Sequence, residues 1–284
     1  MMRARRQRGF TLTELVLVIV ITAILAVVLA PIITEPMRAY FDSTRRNDLA
    51  YTADAALRRM ARDVHDSLPY SIRLNGSNTA FEMIRVRDVA RYRESGGPPA
   101  RRVEFNGNDT EFNILGTFAS ITARPYTAAA TERLVVFNLG SAGFDAYAGD
   151  SVISSAGNFQ VDTENYSQGG TNFSEDKITA INGSVFPFTD SSPSHRVFLV
   201  DGEVSYGCSG GQLFRISDYG FGAAMPGLGA ISGGDVMADN ISSCRFDYDP
   251  GSATRPGLLI MSLELTSGGE NVRLLHQVHV PNAT

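Results

Sequence analysis

The chain has 284 residues, 43% hydrophobic and 19% charged, which excludes a wholly disordered polymer and leaves room for a sizeable core. The formal net charge is -5, and the first nine residues hold four arginines (Arg3, Arg5, Arg6, Arg8) and no acid, so the remainder carries -9. An acidic body argues against a nucleic-acid partner, since nothing is left to neutralise phosphates.

After the arginine tip, the chain from Leu15 to Ile33 is apolar apart from Thr22, with Pro31 near its end. As a helix this stretch is long enough to cross a bilayer. The arginines before it predict a cytoplasmic N-terminus, with everything later on the far side of the membrane. A cleaved secretory signal needs small residues at −3 and −1. Cutting after Ala26 puts Ile24 at −3, and cutting after Ala30 leaves Leu29 before the junction and Pro31 after it. A buried soluble helix does not explain the arginines, and a plain anchor gives no role to Glu14.

A charged side chain costs about 2.5–3.5 kcal/mol at mid-membrane and less near the edge. Cleavage between Gly9 and Phe10 would create an α-amino group close to Glu14. That ammonium on one subunit, paired with Glu14 on a neighbour, would remove the isolated-charge penalty. The run Arg8-Gly9-Phe10-Thr11-Leu12-Thr13-Glu14-Leu15 resembles the class III signal of type IV pilins and type II secretion pseudopilins. The resemblance implies a leader peptide, 1–9, removed by prepilin peptidase after Gly9, and N-methylation of Phe10. It also implies docking of subunits through Glu14, and a proline at Pro31 that kinks or melts the helix. Partners implied in the same way are major and other minor pilins, an inner-membrane assembly platform and the lipid bilayer. The implied location is the inner membrane, with the head periplasmic, and the pilus or its tip after assembly.

Helical spacing continues beyond the apolar run. Leu49, Ala53, Ala56, Met60 and Val64 recur at three- and four-residue steps, and Pro69 predicts the stop. The expectation is one helix over 10–68, about 85 Å from Leu12 to Leu68, with 10–33 in lipid or filament core and 34–68 under the head. Pro31 and Pro36 lack an N–H, so a kink or loosened stretch is expected at 27–36.

From 69 to 284 the pattern is β-rich: short alternating runs between Gly, Ser, Asn and Asp. Predicted strands are Phe81–Arg87, Arg102–Phe105, Phe112–Phe118, Arg133–Leu139, Arg196–Val200, Glu203–Tyr206, Leu213–Ser217, Cys244–Tyr248, Leu258–Thr266 and Val272–Val280. The last two form a C-terminal hairpin whose turn is Ser267-Gly268-Gly269-Glu270-Asn271, with Leu259, Met261, Leu263 and Leu265 on one face. The expected fold is α+β, a long membrane-spanning helix packed on an antiparallel-sheet head, with a loop-rich insertion around 140–195. Gly220–Gly234 reads as a second glycine-rich loop.

Cys208 and Cys244 are the only cysteines. An even pair outside metal spacing, placed beyond the membrane by the topology above, favours a disulfide over two unrelated buried thiols. Gly207-Cys208-Ser209-Gly210-Gly211 satisfies the hydrolase nucleophile pattern, but Leu213-Phe214-Arg215-Ile216 reads as a strand where that elbow needs a helix. A membrane-anchored hydrolase using Ser209 is thus an outside alternative, and the chain is not expected to be an enzyme or to need a cofactor. Of the histidines, His65 falls on the stem, and His276 and His279 fall on opposite faces of a strand, so no metal site is expected from them. Asp247 and Asp249 offer a weak calcium site, short of the six or more oxygens that calcium takes. Gly227-Leu228-Gly229-Ala230-Ile231-Ser232 begins like a dinucleotide loop but has no βαβ unit around it.

Ala56-Leu57-Arg58-Arg59-Met60-Ala61-Arg62-Asp63-Val64, Leu68-Pro69-Tyr70-Ser71-Ile72-Arg73, Val204-Ser205-Tyr206-Gly207-Cys208 and Cys244-Arg245-Phe246-Asp247-Tyr248 are similar to minor pilins of the mannose-sensitive haemagglutinin (MSHA) pilus system. That similarity implies a subunit that initiates or caps pilus assembly. Minor pseudopilins of type II secretion share the layout and stand as the alternative. A third possibility is a tip adhesin binding through 140–195.

Overall fold

The computed structural model describes residues 11–252 and 255–280. The fold is α+β, a long N-terminal apolar helix and a β-rich antiparallel head. In chain order, α1 spans Leu12–His65, followed by β1 (Arg73–Leu74), β2 (Ala80–Tyr92), β3 (Glu111–Leu115), β4 (Tyr126–Thr127) and β5 (Arg133–Val135). Then come β6 (Phe159–Gln168), β7 (Thr171–Ala180), β8 (Arg196–Ser209), β9 (Gln212–Ser217) and the single turn α2 (Leu228–Ile231). The chain closes with β10 (Asp235–Ala238), β11 (Ile241–Asp249), β12 (Gly257–Ser267) and β13 (Glu270–Val280). The large sheet runs β10-β9-β8-β2-β3-β7-β6-β4, with β1 on β2 and β5 on β8, and β11-β12-β13 form a separate three-stranded sheet.

The stem of α1 shares one core with both sheets. Leu49, Ala53, Ala56, Met60 and Val64 are buried as their spacing predicts, and Leu57 and Ala61 widen the stripe. They pack on Phe81, Met83, Val204 and Tyr206 of β2 and β8, and on Leu259, Met261, Leu263 and Leu265 of β12 with Val278 and Val280 of β13. A second core around Phe112, Phe159, Val161, Ile178, Phe186 and Phe188 lies under β3, β6 and β7. A third, with Ile84, Val135, Phe198 and Val200 of β2, β5 and β8, is covered by Ala146, Tyr147, Val152 and Ile153.

Four expectations need correction. The helix is unbroken through 27–36, with no non-helical stretch at Pro31 or Pro36. Each proline deletes one i→i−4 bond, and the flanking bonds of a 54-residue helix keep the segment helical. The helix ends at His65 rather than Leu68, because Ser67 and Leu68 turn to pair with β2, where the Leu68 N–H donates to the Ile84 carbonyl at 2.8 Å. A non-helical Leu68 also suits the proline that follows.

Residues Arg102–Phe105 form no strand. The Arg101 and Glu104 N–H groups donate to the side chains of Asn113 and Asp109, at 2.9 and 2.8 Å, instead of to a ladder. The stretch 140–195 is not simply loop-rich, for it contains the β6–β7 hairpin, closed by Gly169-Gly170 at positive φ. Apart from the stacked Tyr166–Phe173 pair, its outer half (Asp162–Gln168 and Thr171–Ser174) is polar and lacks the apolar alternation of a half-buried strand, which survives at its base as Phe159, Val161 and Ile178.

Candidate functional site

The N-terminal part of α1 stands clear of the head. Leu49 is the first buried residue after position 11 among those described, so about 50 Å of helix projects beyond the fold. Its large apolar side chains are exposed, Leu12 at 80% and Val27 at 75%. A contiguous apolar surface of this extent marks contact with lipid or with other chains. Length and composition suffice to cross a bilayer. Thr22, the one polar side chain in the run, donates to the Val18 carbonyl at 2.8 Å and so satisfies its hydroxyl inside the helix.

Glu14 sits in the first turn and closes a capping box with Thr11. The Glu14 N–H donates to Thr11 Oγ1 at 3.3 Å, and the Thr11 N–H and hydroxyl both reach Glu14 Oε2 at 3.4 Å. These contacts are long for hydrogen bonds and engage one oxygen. Among the described residues Oε1 has no partner, and no cation pairs with Glu14. Gly9 and Phe10 lie outside the described residues. The Thr11-x-x-Glu14 spacing is itself a helix-start signal, and it fixes where the helix begins.

Cys208 and Cys244 are joined by a disulfide with Cα atoms 6.5 Å apart, which ties β8 of the large sheet to β11 of the small one. Ser209 ends β8, and Gly210-Gly211, both at positive φ, turn the chain directly into β9. That two-residue turn suits glycine and leaves no helix after the serine, so the nucleophile elbow is not formed. His276 and His279 occupy β13 opposite Met261 and Leu258, on opposite faces.

Arg245 takes both oxygens of Asp247, at 2.8 and 2.9 Å, and holds that carboxyl below its ordinary range. Asp249 accepts from the Gly251 N–H and from Arg255, and is lowered by the first and then the second. Both carboxylates suggested for calcium are therefore engaged by arginines. Among the described residues no cluster of three or more His, Cys, Asp or Glu side chains could hold a metal ion.

With this geometry in hand, residues 4–30 match the family model of the prokaryotic N-terminal methylation motif. The chain carries that motif. It spans the arginine tip, Glu14 and most of the exposed apolar helix, and it supports a type IV pilin-like or pseudopilin-like protein anchored by a single helix. Proteins with this motif are structural subunits processed by prepilin peptidase and assembled with other pilins. No curated protein and no solved structure gives a significant match to the chain.

One contact beyond the methylation motif is absent from the sequence reading. Asp63 of the stem accepts from Arg215 Nε at 2.9 Å and from the Tyr206 hydroxyl at 2.7 Å. Burial, then the bond to Asp63, pushes the Tyr206 hydroxyl well above its ordinary range. This pair, between stem and head, fixes how the projecting helix is mounted. Asp63 gives no signal in sequence beyond a lone acid facing the apolar stripe.

Proposed function

We propose that the chain is a minor pilin-like subunit that helps initiate or cap assembly of an MSHA-type pilus, similar to the minor pilin called MshO. In this reading, the leader 1–9 is removed after Gly9, Phe10 is methylated, and the new amine of one subunit pairs with Glu14 of its neighbour. The head, from 69 onward, lies outside the inner membrane and reaches the pilus or its tip after assembly. The observation that carries the reading is the acid at the start of an exposed apolar helix, inside a matched methylation motif. Glu14 has an oxygen to spare for a cation, and burying the surrounding apolar surface against sister helices would make that pairing strong. Loosening of 27–36 belongs to extraction from the membrane, where Pro31 and Pro36 lower the number of backbone bonds to break.

The head is far larger than anchoring requires, which suits a low-copy subunit that meets several partners. The same features fit a minor pseudopilin of type II secretion, and deletion in a strain with both machines separates the two: loss of piliation supports the first, loss of secretion alone the second. Glu14→Ala tests the docking role. The variant is expected to be cleaved normally yet to be missing from sheared filaments, and wild-type incorporation contradicts the pairing.

A further inference from the structure

Glu203 of β8 is 0% exposed, and neither of its carboxylate oxygens accepts a hydrogen bond from another described residue. It faces away from α1, opposite Ile84 of β2, on the side of the sheet covered by the third core. A second carboxylate, Glu82 of β2, is 1% exposed on that same face. Glu82 is held by Arg73 of β1 and by the hydroxyl of Tyr219, which also meets Ser205 Oγ at 2.6 Å. Glu203 has no such partners. Arg133 of β5 is one of two cations, with Arg73, that act on it. Its Nη1 is spent on the Ser154 carbonyl at 3.2 Å, its Nε is buried without a partner, and burial lowers its pKa.

Two chain segments close over this pair of acids. One runs through Ala146, Tyr147, Val152 and Ile153. The other follows β9 through Tyr219, Phe221, Gly222 and Ala223. Arg73 pins the second by donating to the carbonyls of Gly222 and Ala223, at 2.8 and 2.7 Å, and lies 3.6 Å from the centre of the Tyr147 ring. Arg133 lies over Phe221 at 4.6 Å. Tyr147 is buried with no partner for its hydroxyl, and burial pushes that hydroxyl far up. The groups facing Glu203 are thus Glu82, Arg73, Arg133, Tyr147 and Tyr219, and none of them donates to it.

We propose that Glu203 is a protonation latch: neutral, it lets the 144–153 and 218–223 segments close on the sheet, and ionised, it releases them. A carboxylate with no donor, beside a second acid, pays its full desolvation cost while the cap is closed. Opening the cap admits water and relieves that cost. Burial, and then the neighbouring Glu82, raise Glu203 from 4.5 to about 7, so the switch falls in the neutral range. The exposure of Tyr147, Tyr219 and Phe221 on the head then follows the acidity of the surroundings.

The test is hydrogen exchange by mass spectrometry on the full chain in detergent micelles at pH 5.5 and 8.0, corrected for intrinsic exchange. If the open state returns Glu203 to 4.5, linkage makes opening roughly 25-fold more frequent at the higher pH. Wild type should lose protection in 144–153 and 218–223 by about that factor, with β12 and β13 unchanged. Glu203→Gln should show no pH effect in either segment. A flat wild-type response, or an equal loss in the Gln variant, overturns the latch. Should that variant fail to fold, infrared titration of wild type decides: a neutral-carboxyl band must vanish between pH 5.5 and 8.0, and its absence at pH 5.5 overturns the proposal.

Discussion

Asp63 and Glu203 are both acids inside the head, and their surroundings give them opposite effects. Asp63 has a guanidinium and a phenol within 3 Å, so removing it strands two polar groups in a largely buried place. Asp63→Ala should destabilise the head by about 3 kcal/mol in denaturant titrations, and replacing Asp63 and Arg215 together by apolar residues should recover part of that. A loss below about 1 kcal/mol would mean that the pair is solvated. Glu203 has no donor, and its folded pKa is about 7 against 4.5 when unfolded. The folded state therefore binds the proton more tightly, so its stability is greatest below 4.5 and falls as pH rises toward 7. The total loss is about 3 kcal/mol by neutral pH, and Glu203→Gln should abolish this component of the pH dependence of unfolding. Neither acid's role is legible in the sequence. The partners of Asp63 come from β8 and β9, and the groups around Glu203 come in part from β1, β2 and β5, all distant along the chain, and a sequence pattern carries burial periodicity rather than who meets whom. The place of Glu14 at the helix start is legible by contrast, because its neighbour in the capping box is local.

At the level of elements, what could be read from the sequence is what had one buried face. The β12–β13 hairpin and the stem stripe alternate cleanly, because each rests on the same core and a slip would expose it. The β6–β7 hairpin is hidden from such patterning, since its outer half carries no apolar alternation, only the stacked Tyr166–Phe173 pair beside the backbone ladder and the Gly169-Gly170 turn. β8 joins two predicted strands into one, bridging Asp201 and Gly202, with a register shift near Val86 on its partner β2. The turn at Ser209 was readable because two glycines between apolar runs specify a hairpin rather than an elbow. The Cys208–Cys244 bond closes a 36-residue separation and joins the two sheets around the stem. Chain-entropy arguments give such a closure up to about 4 kcal/mol. Reduction, or Cys208→Ala with Cys244→Ala, is expected to lower the unfolding free energy by about 2–4 kcal/mol in the full chain. An unchanged denaturation midpoint would contradict a stabilising bond.

The molecule combines a β-rich head with a helix whose projecting part has no partner among the described residues. Burying that apolar surface is favourable only in a bilayer or against other apolar helices, so the architecture calls for one or the other. Its acid near the tip is costly in either setting unless a cation arrives, and in the proposed processing the nearby arginines of residues 1–9 leave with the leader. The proposed role therefore depends on the cut between Gly9 and Phe10, which supplies an amine close to Glu14. The fold class and the anchor were legible because long apolar runs and alternating strands are strong signals. The arrangement of the polar segments 140–195 and 218–234 was not, because it comes from long-range packing. The direct measurement is mass spectrometry of the protein extracted from membranes of cells with an active prepilin peptidase. The account predicts a mature chain that begins at N-methylated Phe10. Recovery of the chain with residues 1–9 still attached would contradict it.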